Sequence, residues 1–199
     1  MAGDKTYIYG KHALVEALRF APKAIKKIYF APQFADAELL SLIKKSGIPV
    51  SETDGRGAGG YDKEDIRQGI IGLLSLESLL QPYKGFIEHH KITTSSCLVL
   101  LDEIQDPHNV GAIIRSAAAF GVSGILIPEH NQAPVTGAVV KVSAGMAFRV
   151  PLISVGNVNS TLRDLKDRGF WTYGLEMNEE HNTVTEKFDA PSVFVMGNE

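Results

Sequence analysis

An α/β fold built on a mostly parallel sheet is what this sequence predicts, and three observations carry it. Apolar, strand-like runs alternate with helical patterns from residue 97 onward. The run Cys97–Leu101 (CLVLL) is continuously apolar, as a parallel strand buried on both faces has to be. A smaller set of alternating strands and helices precedes it within residues 1–76. The expected organisation is a small α/β domain over 1–76, a linker over 77–95 and a larger α/β domain over 96–199.

In the first domain the pattern opens on Tyr7-Ile8-Tyr9-Gly10. Ala13, Leu14, Ala17 and Leu18 then share one helical face, which Pro22 ends. Residues 25–30 read as a strand, and residues 35–46 as a second helix closed by Gly47. A short strand at 49–51, a glycine loop at 55–60 and an apolar strand at 69–74 complete the unit. Residues 77–95 hold no sustained period. Pro82 and Gly85 punctuate them, with room for a short helix at 86–90. In the larger domain, strands are expected at 97–101, 124–127, 150–155, 170–175 and 192–196. Helices are expected at 109–120, within 134–148, and at 158–168 with Asn157 or Asn159 as cap and Gly169 as stop. Ligands of such sheets sit outside the carboxyl ends of the strands, here 102–103, 128–129, 174–176 and 197–199.

Composition bounds the function. The 199 residues are 44% hydrophobic and 22% charged, a globular mix that excludes a disordered or fibrous chain. No apolar run approaches a membrane span, and Met1-Ala2-Gly3-Asp4-Lys5 does not begin a secretory signal. Cys97 is the single cysteine, which excludes an internal disulfide and a cysteine metal cage, so a reducing cytoplasm is the expected setting. The net charge of −3 argues against a wholly basic nucleic-acid binder. Charge is nevertheless unevenly placed: residues 1–76 carry eleven Lys/Arg against nine Asp/Glu, and residues 96–199 seven against twelve. Lys23, Lys26, Lys27, Lys44 and Lys45 cluster in the first domain, either as a solvated surface or as groups that track phosphates.

Two motifs are set aside. Gly55-Arg56-Gly57-Ala58-Gly59-Gly60 spells G-x-G-x-x-G, but the polar Tyr61-Asp62-Lys63-Glu64-Asp65 follows it in place of an apolar helix. It reads as a loop rather than a dinucleotide site, although Arg56 can still meet a phosphate. The histidines show no metal-ligand spacing, and no metal is expected.

The informative stretch is 102–121 (DEIQDPHNVGAIIRSAAAFG). Val110, Ile113, Ile114, Ala117 and Ala118 form one apolar helical face, and Gly111 and Ala112 permit close approach of another backbone. Arg115 lies off that face and is the only Lys, Arg, Asp or Glu between Asp106 and Glu129. Such an Arg needs an anion or water, because an unpaired buried charge is costly. Asn109 stands at the helix start, where free N–H groups draw anions. On spacing alone the pair is either a cap and a structural Arg or part of an anion site.

Residues 101–121 resemble the first motif of the SpoU family of RNA ribose 2′-O-methyltransferases, within the SPOUT superfamily, including its Asn and Arg. Val193-Phe194-Val195-Met196-Gly197-Asn198-Glu199 is similar to the start of the family's second motif. Tyr9-Gly10-Lys11-His12-Ala13 and Gln68-Gly69-Ile70 resemble the amino-terminal domain of its 23S rRNA guanosine-2′-O-methyltransferase branch, with Arg67 where that branch commonly has His. The resemblance covers nearly the whole chain. It implies a SPOUT-type domain preceded by a small α/β RNA-binding domain of ribosomal-protein type. The family continues through a glycine-rich loop to a third motif that supplies part of the S-adenosylmethionine pocket and ties a knot, a rare topology. The sequence stops at Glu199, before that knot-forming segment.

What the resemblance implies for chemistry is methyl transfer from S-adenosylmethionine to a ribose 2′-hydroxyl of structured RNA, with 23S rRNA foremost. Arg115 is the implied main catalytic residue. Asn109 orients the ribose or Arg115, and Glu199 positions either of them or accepts a proton through water. A guanidinium with a pKa above about 12 is a poor base, so Arg115 is expected to grip phosphate and favour the developing oxyanion. The cofactor is expected against Gly197, Asn198, Gly174 and Leu175, and RNA against Lys26, Lys27, Lys44, Lys45 and Arg56. Family members complete the site across a dimer interface, so a homodimer is expected. The alternative is a non-catalytic RNA-binding protein on the same scaffold.

Overall fold

A computed structural model describes residues 6–52, 69–175 and 184–197. In the first lobe, β1 (Thr6–Tyr9), α1 (Lys11–Phe20), β2 (Ile25–Phe30), α2 (Ala37–Ser46), β3 (Val50–Glu52) and β4 (Ile70–Leu74) build a four-stranded sheet of order β1-β4-β2-β3. β4 is antiparallel to both of its neighbours, while β2 and β3 are parallel. α1 buries Leu14, Ala17 and Leu18, part of the face read from the periodicity. α2 starts two residues later than the apolar pattern suggests, because the Asp36 carboxylate accepts from the backbone N–H of Leu39 at 3.0 Å and caps it there. It ends at Gly47, whose φ of 68° is the left-handed turn that a Cβ would penalise. The glycine loop at 55–60, with Arg56, lies outside the described residues.

The larger lobe opens with β5 (Leu80–Pro82) and α3 (Tyr83–His89). It continues through β6 (Cys97–Leu101), α4 (Pro107–Ala119), β7 (Gly124–Pro128), α5 (Gly137–Val142), β8 (Leu152–Val155), α6 (Val158–Asp167), β9 (Trp171–Gly174) and β10 (Ser192–Met196). The six strands form one wholly parallel sheet of order β5-β8-β7-β6-β10-β9. Burial on both faces is explicit. Leu98 and Leu100 join a cluster with Phe86, Ile87 and Leu165 of α3 and α6, while Val99 and Leu101 join one with Val110 and Ile114 of α4.

The segment read as a linker is structured over 80–89. β5 pairs with β8 at the sheet edge, and α3 buries Phe86 and Ile87. The Tyr83 hydroxyl donates to the Asp164 carboxylate at 2.6 Å, and Arg168 Nε donates to the same carboxylate at 2.7 Å. A short edge strand followed at once by a short helix leaves too little chain for a period to show. Pro82 is tolerated because an edge strand forfeits no ladder bond to it.

The two lobes share one core. The cluster containing Ile8, Leu14 and Ile28 of the first lobe also contains Ile114, Val139 and Phe148 of the second. Gly137 sits under β1, where an added Cβ would meet Thr6 Cγ2 at 3.0 Å and the Tyr7 carbonyl at 3.2 Å. Arg149 donates through Nε and Nη2 to the two carboxylate oxygens of Glu16, the second bond at 2.8 Å, and lies over the Phe20 ring at 4.6 Å. The hydrogen bond from Arg149 holds the Glu16 carboxyl below its ordinary value of 4.5, against the upward push of burial. A carboxylate lowered in the folded state stabilises the fold above its unfolded pKa, and that contribution is lost as pH falls through the folded value. Stability should therefore drop as pH is lowered below about 4.5, and Glu16→Gln should flatten that part of the profile. Urea unfolding at about pH 7 and about pH 3.5 measures it; an equal loss of stability between the two pH values in both proteins would refute the latch.

Candidate active site

The chain runs from β6 through β7 to β8 on one side, then returns to place β10 and β9 on the other side of β6. The crevice outside the carboxyl ends of β6 and β10 is thus the topological switch point, where ligands of open parallel sheets bind. The ends are tied directly: the Asp102 N–H donates to the Met196 carbonyl at 2.9 Å.

The loop leaving β6 is held by the loop leaving β7. Gln132 spans both backbone groups of Ile104, its Oε1 accepting from the N–H at 3.0 Å and its amide donating to the carbonyl at 2.9 Å. Gln105 donates to the Asn131 carbonyl at 2.7 Å. Glu103 and Asn131 both adopt left-handed backbone, with φ of 57° and 53°. This lacing fixes where α4 begins. Its cap is Asp106, which accepts from the His108 N–H at 2.8 Å, with Pro107 in the first turn where its missing N–H costs nothing. Asn109 is not the cap; it lies within the first turn and is exposed.

Arg115 is exposed and pairs with no described carboxylate, so the structural-Arg reading does not describe it. It is also not beside the amino end of the helix. At about 1.5 Å and about 100° per residue, it stands about 9 Å further along α4 than Asn109 and about 120° round from it. The two side chains therefore point in different directions within one chain. Gly111, one turn before Arg115, packs against α5 so closely that a Cβ would meet Val142 Cβ at 2.7 Å.

The predicted cofactor positions converge where they are described. Gly174 is the register partner of Val195, and the Leu175 N–H donates to the Val195 carbonyl at 3.2 Å. Gly197 follows β10 directly, and an added Cβ at Gly174 or Gly197 would meet nothing within 4 Å. The three residues thus make an exposed backbone ledge at the carboxyl ends of adjoining strands. Beside it an apolar groove of about 420 Å³ runs between Leu175, Phe194 and Met196 and the α4 residues Ile113, Ala117 and Phe120. Phe120 is 87% exposed. Asn198 and Glu199 lie outside the described residues.

The lysines do not form one patch by proximity in sequence. Lys26 and Lys27 are on β2, with the Lys27 ammonium 5.1 Å from the centre of the Tyr29 ring. Lys44 and Lys45 are exposed in the last turn of α2, where cations also suit the helix dipole. The sequence reading missed Gln132, whose partner is 28 residues away and leaves no local signature. Among the described residues no group of three or more His, Cys, Asp or Glu could hold a metal ion, and no helix is long and apolar enough to cross a membrane.

Both lobes match known families in order along the chain. A model described as RNA 2′-O ribose methyltransferase substrate binding matches residues 7–76, and that of the SpoU rRNA Methylase family matches residues 96–199. The chain belongs to the SpoU rRNA methylase family. Among its relatives, the 23S rRNA (guanosine-2′-O-)-methyltransferase RlmB of Pseudomonas putida is 31% identical over 96% of this chain and 78% of its own length. The RlmB of Neisseria meningitidis is 32% identical over 96% of this chain and 77% of its own length. The crystal structure of the SpoU methyltransferase AviRb from Streptomyces viridochromogenes, in complex with the cofactor AdoMet, superposes with a TM-score of 0.77. It covers 98% of this chain and 73% of that one, at 15% identity, a likeness of fold.

Proposed function

We propose that this SpoU family member transfers a methyl group from S-adenosylmethionine to a ribose 2′-hydroxyl of 23S rRNA. The observation that carries the reading is the match of 96% of the chain, both lobes in order, to 23S rRNA guanosine-2′-O-methyltransferases at 31% and 32% identity. The residues present fit the cofactor: open glycine backbone at 174 and 197 admits close approach of a ligand, and the half-exposed Leu175 offers an apolar surface for its adenine. Gly174, Leu175, Gly197 and Asn198 are the positions that would hold it.

When bound, S-adenosylmethionine supplies an electrophilic methyl carbon on a sulfonium. The protein has then to align the ribose oxygen with that carbon and stabilise the charge that develops on it. Arg115 grips the phosphate next to the target ribose and favours the oxyanion. Asn109 orients the ribose, and Glu199 accepts the proton through water. Lys26, Lys27, Lys44, Lys45 and Arg56 contact RNA phosphates. In this reading the site is completed by a second copy of the chain. The bare apolar groove and the exposed Phe120 support a homodimer. A single cysteine and a ribosomal substrate support a cytoplasmic setting.

The test is transfer of labelled methyl from S-adenosylmethionine to 23S rRNA taken from cells that lack the gene. A single 2′-O-methylated nucleotide, mapped by resistance to alkaline cleavage, is the expected result. RNA binding with no methyl transfer would sink the catalytic reading and support the binding-only alternative.

A further inference from the structure

A cavity of about 780 Å³ opens between the two lobes, a volume within the usual range of sites for one small organic group. Tyr9 and His12 of the first lobe and Thr136 and Lys141 of the second contribute to its walls. Those walls come from both matched segments, the substrate-binding one at 7–76 and the methylase one at 96–199. Among the described residues its lining contains no Asp or Glu, although the chain carries a net charge of −3. Lys141 is exposed and pairs with no described carboxylate. Small residues such as Ala138 leave the space beside Lys141 apolar. A largely apolar cavity with an ammonium and an imidazole, and with no carboxylate among its described walls, suits a nucleobase with its phosphate and offers no counter-charge to a cationic ligand.

The cavity is also well placed along the chain's own elements. α5 packs on α4 where Gly111 meets Val142. Lys141 adjoins Val142, and Arg115 is one turn on from Gly111, so both cations belong to the two helices that meet at that contact.

We propose that the interlobe cavity is a subsite for one unstacked nucleotide of single-stranded RNA, its base between β1 and α5 and its phosphate on Lys141. Recognition of extruded bases in this way is the general mode for sequence-bearing RNA. The proposal takes the polymer's identity from the reading above but does not depend on methyl transfer.

Fluorescence anisotropy with a 5′-labelled short oligouridylate tests it. Lys141→Ala should weaken binding about tenfold and reduce the salt slope by about one, whereas Lys141→Arg should retain affinity. Ala138→Leu, placed at an exposed position of α5, fills the cavity; it should weaken binding at least about tenfold with an unchanged unfolding midpoint. Affinities of the Lys141→Ala and Ala138→Leu proteins within about twofold of wild type, or no binding by wild type, overturn the subsite. Free uridine monophosphate binding as tightly as the oligonucleotide would assign the cavity to a small molecule and overturn it too. If these effects hold while wild type transfers no methyl, the subsite stands and the catalytic reading falls.

Discussion

Arg115→Ala is expected to lower methyl transfer by at least about 10³-fold while leaving S-adenosylmethionine affinity within about twofold of wild type. The expectation follows from where the side chain stands. It is exposed on α4 and pairs with no described carboxylate, so its removal strands no partner charge. Alanine is at least as good a helix former as arginine, so α4 should persist. What is lost is a planar cation able to hold phosphate in two places and to face a developing oxyanion. Arg115→Lys keeps the charge without the fork and should fall between the two. Single-turnover kinetics and calorimetry with the cofactor are the paired measurements; equal loss in both would remove Arg115 from the chemistry.

Ile114→Ala should cost about 2–5 kcal/mol of unfolding free energy. Ile114 is fully buried, in the cluster shared by α4, the sheet and the first lobe. Close packing there cannot collapse around a missing side chain without moving the sheet. Urea unfolding should show a lower midpoint with the slope retained. The adjacent residues are thus expected to divide the labour of one helix: position 115 for turnover with stability kept, position 114 for stability. A loss below about 1 kcal/mol would mean that α4 is less tightly seated than its burial indicates.

Much of the fold was legible because parallel strands buried on two faces must be apolar at every position. Cys97–Leu101 and Gly124–Pro128 announce themselves in that way. The α6 cap was legible to within two candidates; Asn157 fills it, accepting from the Ser160 N–H at 2.9 Å. Less legible was the start of α4, where Asp106 and Pro107 set the end and Asn109 falls inside. β5 was hidden by its brevity, since its order comes from β8, while α3 was read as a short helix at 86–90 and in fact begins three residues earlier, at Tyr83. The candidate site was readable as residue types, but not the angle between Asn109 and Arg115, nor the Gln132 clamp. Those depend on helix phase and on partners far along the chain.

The core common to both lobes makes the protein a ruler. With Ile8, Leu14, Ile114 and Phe148 in one apolar cluster, and Arg149 hydrogen-bonded to Glu16, the first lobe and α4 are packed as one unit. If the first lobe grips RNA and the larger lobe holds the reacting sugar, as proposed above, the offset between the two is set by this shared core. On that reading such a device would select its nucleotide by distance from a recognised landmark, and an RNA that does not already hold its two features at that separation would have to deform to be modified.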